Sequence, residues 1–249
     1  MNRKNAMQSK YLTLLHIALL LVIISACENE IVDDYEPELN VLSVLNDMTS
    51  IQTVYVDRTY SMYDTAGGLI EDALVTMSAG SYVDTLDFIH ETGMYWTDAF
   101  NIVPLATYEL TVIKEGFDTL TGTTTVPASF VIIHPAFNDT ISFQDTIVFA
   151  KSEKAGVYGC VLRHEMINFA TFFYHEPDPL DSIIQLPIGE HLESAPPGRY
   201  VIYISAYDSN FYEYHFELGD SILQAGVTGG VGCFGSIRTE GTVAYILAD

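Results

Sequence analysis

The stretch TYELTV, Thr107 to Val112, puts Tyr108, Leu110 and Val112 at alternate positions, with Glu109 and Thr111 between them. A period of two lays the apolar set on one face of an extended chain and the polar set on the other. That is the pattern of a half-buried β-strand. Working outward, the same pattern recurs. LNVLSVLN (39–46), SIQTVYVDRTYSM (50–62), ALVTMSAG, SYVDTLDFI, GMYWTDAF and FDTLTGTTTVP are short runs rich in Val, Ile, Thr, Tyr and Phe. Turn residues separate them: DTAGG (64–68) reads as a loop and Ala79-Gly80 as a turn. About seven strands fall between residues 39 and 127, the scale of an immunoglobulin-like sandwich.

Pro127 marks the expected boundary. Beyond it, SFVIIHP, DTISF, DTIVFAKS and AGVYGCVLRHEM continue the strand pattern. The segment from Asn168 to Gly198 is the least regular, and its prolines (Pro177, Pro179, Pro187, Pro196, Pro197) restrict it to loops and edge strands. RYVIYISAYDSNFYEYHFEL then alternates Tyr200, Ile202, Ile204 and Ala206 against Val201, Tyr203 and Ser205, and PPGRYVIYISAYD looks like a late strand of a fibronectin type III-like domain. RTEGTVAYIL reads as the last strand, and almost nothing reads as helix. The expected fold is all-β: two consecutive β-sandwich-like domains, immunoglobulin-like over 39–127 and fibronectin type III-like over 128–249.

The amino terminus has a different grammar. Arg3, Lys4 and Lys10 precede an apolar run from Tyr11 to Ala26, shorter than the roughly 20 residues a spanning helix needs. Basic, apolar and then small residues are the order of an export signal. Ile24-Ser25-Ala26-Cys27 resembles a bacterial lipobox, which implies cleavage before Cys27 and acylation of its thiol with chains such as palmitate. An uncleaved anchor helix, or a signal cut elsewhere, is the other reading. Each buried methylene contributes about 0.8 kcal/mol, so several acyl chains hold a protein on a membrane without spanning it. The acids at 28, 30, 33, 34, 36 and 38 make residues 27–38 a solvated acidic tether. They also resemble the surface-export signal of Bacteroidota lipoproteins, which points to the outer face of the outer membrane; the periplasmic face is the alternative.

Removing residues 1–26 takes away three of the ten basic residues and none of the 33 acids, which leaves 223 residues with a formal charge of −26. Such a polyanion repels phosphate backbones, which excludes nucleic acid as a partner. Cys160 and Cys233 remain; outside the cytoplasm they are a candidate disulfide, with two buried free thiols as the other reading.

Several phrases in order carry a family resemblance: VYVDRTYSMYD, IEDALVTMSAG, GMYWTDAF, ATYELTVIKEGFDTLTGTTTVP, NFYEYHFE and GGVGCFGSIRTEGTVAYIL. Together they resemble an uncharacterised Bacteroidota lipoprotein family, domain of unknown function 4249. The resemblance spans nearly the whole mature chain. It implies a lipid-anchored, β-rich, two-part protein whose genes often neighbour TonB-dependent outer-membrane receptors. It brings no established activity and no site residues.

The remaining motifs compete with plainer readings. Gly230-Val231-Gly232-Cys233-Phe234-Gly235 spells GxGxxG, but the residues after it read as strand and only 14 follow Gly235. A dinucleotide site needs a helix there and an acid about 20 residues on, so no nucleotide is expected. A glycine-rich loop placing Phe234 against the core fits better. His164-Glu165, His175-Glu176, Asp178, His191 and Glu193 supply metal-type ligands without the HExxH spacing, and exposed loop histidines are the simpler reading. No GxSxG occurs. Paired glycosidase carboxylates cannot be picked out by counting among so many acids. Trp96 with Tyr207, Phe211, Tyr212, Tyr214 and Phe216 could stack on a sugar or pack a sheet face. The expected function is non-catalytic: a binding or assembly accessory of a cell-surface complex, with an outer-membrane protein as partner and no cofactor. The alternatives are an adhesin or carbohydrate-binding module, and a metal-dependent secreted-side hydrolase using the segment 164–193.

Overall fold

The alternating stretches do pair as strands. The computed structural model describes residues 35–61, 68–192, 195–217 and 224–247. Cys27, most of the tether and the 64–67 part of the DTAGG loop lie outside them. In chain order the strands are β1 (Leu39–Asn46), β2 (Gln52–Arg58), β3 (Leu74–Ala79), β4 (Tyr82–Thr85), β5 (Asp87–Ile89), β6 (Met94–Thr97), β7 (Thr107–Ile113), β8 (Leu120–Thr125) and β9 (Ile132–His134). They continue with β10 (Asp139–Ser142), β11 (Thr146–Ala150), β12 (Val157–His164), β13 (Ala170–His175), β14 (Ile183–Pro187) and β15 (Gly198–Tyr207). Helix α1 (Ser209–Phe216) follows, then β16 (Gln224–Ala225), β17 (Val227–Thr228) and β18 (Val231–Leu247).

Among the described residues these strands form three sheets. A ten-stranded sheet runs β13-β12-β15-β18-β1-β2-β6-β5, with β10 and β16 attached to β18. A five-stranded sheet (β17-β8-β7-β3-β4) and a three-stranded sheet (β14-β11-β9) complete the set. The first core joins β1, β2 and β6 of the large sheet to β3, β7 and β8 through Val41, Val54, Val56, Val75, Leu110 and Leu120. Tyr108, Leu110 and Val112 are all buried there, as their spacing demands. The second core joins β12, β15 and β18 to β11 and β14 through Ile147, Phe149, Leu162, Ile184 and Ile202. The protein is therefore all-β, with sandwich-type cores one after the other along the chain. Residues from Pro37 onward make one compact unit.

A two-residue hairpin turn, Gly80-Ser81, falls one residue later than the Ala79-Gly80 read from the sequence. Ala79 faces Tyr82, and Gly80 takes the positive φ (+61°) that such a turn requires.

Two segments depart from the sequence-based reading. The alternation of RYVIYISAYDSNFYEYHFEL stops at Tyr207, and Ser209–Phe216 is helical. Asp208 caps α1 by accepting a hydrogen bond from the Phe211 N–H at 3.0 Å, the usual work of an N-cap aspartate. GGVGCFG is not a loop beyond its first two glycines: β18 begins at Val231 and continues unbroken to Leu247. Its first half runs parallel to β1, from Asn40↔Val231 to Asn46↔Ile237. Its second half runs antiparallel to β15, from Tyr207↔Ile237 to Gly198↔Ile246. One strand therefore serves both cores. Phe234, fully buried, belongs to the first; Ala244 and Ile246 belong to the second. Gly232 has φ +112° and lies against the Val41 carbonyl, so a side chain there would meet backbone.

The disulfide raised by the sequence is not made: Cys160 and Cys233 are both free and buried. β15 lies between their strands, and Cys160 is level with Ile204 and hence with Glu240, seven positions along β18 from Cys233. At about 3.3 Å per residue and 4.8 Å per strand, that separates them by roughly 25 Å, against a limit of about 7 Å between α-carbons. Burial pushes each thiol up to about 12, so both stay protonated and inert.

Candidate functional site

The cap that starts α1 also fixes it in place. Asp208 is 3 % exposed. Its carboxylate accepts from the Thr124 hydroxyl of β8 at 2.5 Å, and its N–H donates to the Ser236 carbonyl of β18. Thr124 also hydrogen-bonds Ser236 Oγ at 2.8 Å. Next to it, Asn210 Nδ2 donates to the carbonyls of Thr123 and Phe234, both at 2.8 Å. Burial nonetheless raises the Asp208 carboxyl above the ordinary carboxylate range, opposed by these hydrogen bonds.

Held this way, α1 meets the outermost strand of the large sheet in an aromatic cluster. The Tyr207 and Phe211 rings stack at 4.1 Å. Tyr174 of β13 stands edge-on to Phe216 at 4.8 Å and to Phe172 at 4.6 Å. Tyr212 stacks with Phe216 at 5.8 Å. Burial, with Tyr174 beside it, pushes the Tyr207 phenol up to about 12. The inner members are packing, but Phe172 (49 %) and Tyr174 (40 %) remain substantially exposed. Carboxylates rim the patch. Glu176 accepts from the Tyr212 hydroxyl at 2.7 Å, Glu217 also acts on Tyr212, and Asp181 and Glu176 both act on His175.

Of the aromatic set read from the sequence, Tyr207, Phe211, Tyr212 and Phe216 do come together; Tyr214 contacts His215. Trp96 does not join them: it lies on β6, six strands from β13 in the large sheet. Phe172 and Tyr174, which complete the patch, were missed. The signal was there in ATFFYH, three consecutive aromatic residues in a segment assigned to loops and edges.

The metal-type residues are spread out and committed elsewhere. His164 accepts from the Met166 N–H through Nδ1 and stands edge-on to Tyr200. Glu165 pairs with Arg199 at 2.5 Å. His191 lies flat on Phe173, ring centres 3.5 Å apart. Desolvation lowers the His175 pKa although Asp181 and Glu176 favour its cation. Glu193 lies outside the described residues. Among the described residues no three His, Cys, Asp or Glu side chains are grouped to hold a metal, and no helix is long and apolar enough to cross a membrane. Of the glycines in the GxGxxG stretch, Gly230 and Gly232 serve the close approach to the backbone at Leu39 and Val41, and Gly235 leaves room for Asp208 and Phe211 at the start of α1.

The chain belongs to the family defined by a domain of unknown function, DUF4249, whose model matches residues 26–226. No curated protein matches it. Among solved structures it is similar to the FN1–FN3 domains of chicken CNTN1, at 10% identity over 86% of this chain and 66% of that one, with a TM-score of 0.24. It is similar also to Dpr11 IG1 bound to DIP-gamma IG+IG2 (9% identity, 86% and 99% covered, TM-score 0.24). A third is a three-immunoglobulin-domain structure of titin in an E-to-A variant (8%, 86% and 65%, TM-score 0.24).

Proposed function

We propose that the protein is a lipid-anchored, non-catalytic binding module of the Bacteroidota outer membrane, an accessory of a cell-surface complex. Cys27 is its acylated residue, the acidic tether its spacer, and an outer-membrane protein such as a TonB-dependent receptor its partner. The observation that carries this reading is the half-exposed aromatic patch of Phe172, Tyr174, Tyr212 and Phe216 at an open sheet edge. Aromatic side chains left partly in water beside polar groups are the usual furniture of contact surfaces. Anchoring by Cys27 confines that surface to the membrane plane and raises its local concentration at a partner. Two experiments test this. Mass spectrometry of the native protein should find acylated Cys27, and Cys27→Ala should release it from membranes. Crosslinking and pull-down from membranes should recover an outer-membrane barrel; recovery of the lipoprotein alone defeats the proposal.

A second reading, an adhesin or carbohydrate-binding module, is favoured by the Tyr212 ring lying beside a carboxylate that already accepts its hydroxyl. Glycan-array binding lost on Tyr212→Ala would decide for it, and a blank array against it.

A further inference from the structure

We propose that β13 is the receiving edge for an extended, basic peptide segment of a partner protein, which adds to the large sheet as a further strand. This rests on the binding-module reading above and names its contact.

The hydrogen-bond phase defines the edge. The His164 N–H donates to the Phe169 carbonyl, so the ladder continues at Leu162↔Thr171, Cys160↔Phe173 and Tyr158↔His175. The main-chain N–H and C=O groups of Ala170, Phe172 and Tyr174 consequently point away from β12. No described strand pairs with that side of β13. Sheets normally protect such an edge with a charge, a proline or a short strand. The edge strand β5 carries Asp87, β14 ends in Pro187, and β9 has three residues. The six residues of β13, ATFFYH, contain no Asp, Glu, Lys, Arg or Pro. Strand addition uses two things: open main-chain groups for affinity and neighbouring side chains for specificity. β13 offers both, since Phe172 and Tyr174 flank the open groups.

Charge selects the occupant. Glu176, Asp178 and Asp181 follow β13, and Glu213 and Glu217 lie on and just after α1. The whole chain carries a formal charge of −23. A second copy would bring its own Glu176 and Asp178 to the same edge, and an anionic glycan or lipid would be repelled. A strand bearing Lys or Arg meets the carboxylates at the rim and the ring faces between them.

The probe is a fluorescently labelled peptide of about eight residues, alternating Lys with Thr and Val, long enough to span β13 at about 3.3 Å per residue. It is titrated against the purified full chain by anisotropy. It should bind, weaken as salt rises, and lose about tenfold or more when alternate amides are N-methylated, because those amides make the new ladder. Replacing its Lys with Glu should abolish binding. Tyr174→Pro removes an outward N–H and leaves the β12 ladder intact, so it should abolish binding with the fold retained. If that variant does not fold, Glu176→Gln with Glu217→Gln should still weaken binding several-fold and flatten its salt dependence. Equal binding of the acidic peptide, or binding indifferent to N-methylation, overturns the proposal. So does a dimer in ultracentrifugation that Tyr174→Pro dissociates. A barrel still recovered from membranes with Tyr174→Pro sinks this edge and spares the accessory role. Peptide binding without any recovered barrel does the reverse.

Discussion

In the first core the residues that complete the packing arrive from the far end of the chain. Val227 and Phe234 sit among residues 39–126, and β18 reaches β1 in parallel across the whole of the second core's sequence. In the second core Ala244 and Ile246 pack with residues 130–206, and β18 meets β15 antiparallel, separated from it in sequence mainly by α1 and two short strands. Parallel neighbours cannot be joined by a tight turn, so some long excursion between β1 and β18 is obligatory. Here the excursion is itself a packed structure. The difference teaches that the two cores are consecutive in sequence but not independent: the first needs the end of the second.

The sharpest way to break this comparison is Phe234→Ala. It removes a fully buried ring from the first core by a change in the last strand, and should cost roughly 3–5 kcal/mol. Phe149→Ala, the matching change in the second core, should cost a similar amount. Denaturant unfolding measures both. If Phe234→Ala costs under about 1 kcal/mol, the first core does not depend on β18. Gly232→Ala comes next. It forces a side chain into φ +112° and against the Val41 carbonyl, which should cost roughly 2–5 kcal/mol from strain and crowding together. Gly80→Ala, at a hairpin turn with open space around it, should cost only about 1 kcal/mol.

Smaller effects sharpen the joint. Arg238 of β18 pairs with Asp47, just beyond β1, and with Glu240; the Asp47 side chain is 4% exposed and also accepts from the Thr239 N–H. Arg238→Ala leaves that carboxylate buried with one donor, at an expected cost of about 1–3 kcal/mol. The smallest effect is in pH dependence. The Asp208 carboxyl is raised in the folded protein, so the folded state holds the proton more tightly than the unfolded chain. Stability from this group therefore increases as pH falls through the folded pKa towards the ordinary value of about 4. Asp208→Asn removes that contribution. Relative to wild type it should melt comparatively better at about pH 7 than at about pH 4, and the opposite trend contradicts the burial argument.

Much of the fold was legible because period-two alternation survives in single strands: LNVLSVLN is β1 residue for residue, and TYELTV opens β7. Two failures have one cause. Phe211, Tyr212, Tyr214 and Phe216 alternate well enough to pass as strand. What makes them helical is Asp208, locked by Thr124, 84 residues earlier. Gly232 and Gly235 of GGVGCFG disfavour a strand locally, and are strand because β18 pairs with β1 from Asn40 to Asn46. Neither partner is adjacent in sequence. The candidate site was half visible. The aromatic residues of α1 were singled out, whereas Phe172 and Tyr174 were lost among prolines. Which edge stays open depends on strand order, which no local pattern records.

Synthesis delivers residue 40 long before residue 231. Until β18 emerges, β1 has one flank bare and the cavity awaiting Phe234 is unfilled. A product terminated anywhere before that point would display an adhesive flank and a loosened interior, the features that proteases and chaperones detect. β18 thus makes closure of the first core wait until the sequence of the second has been made.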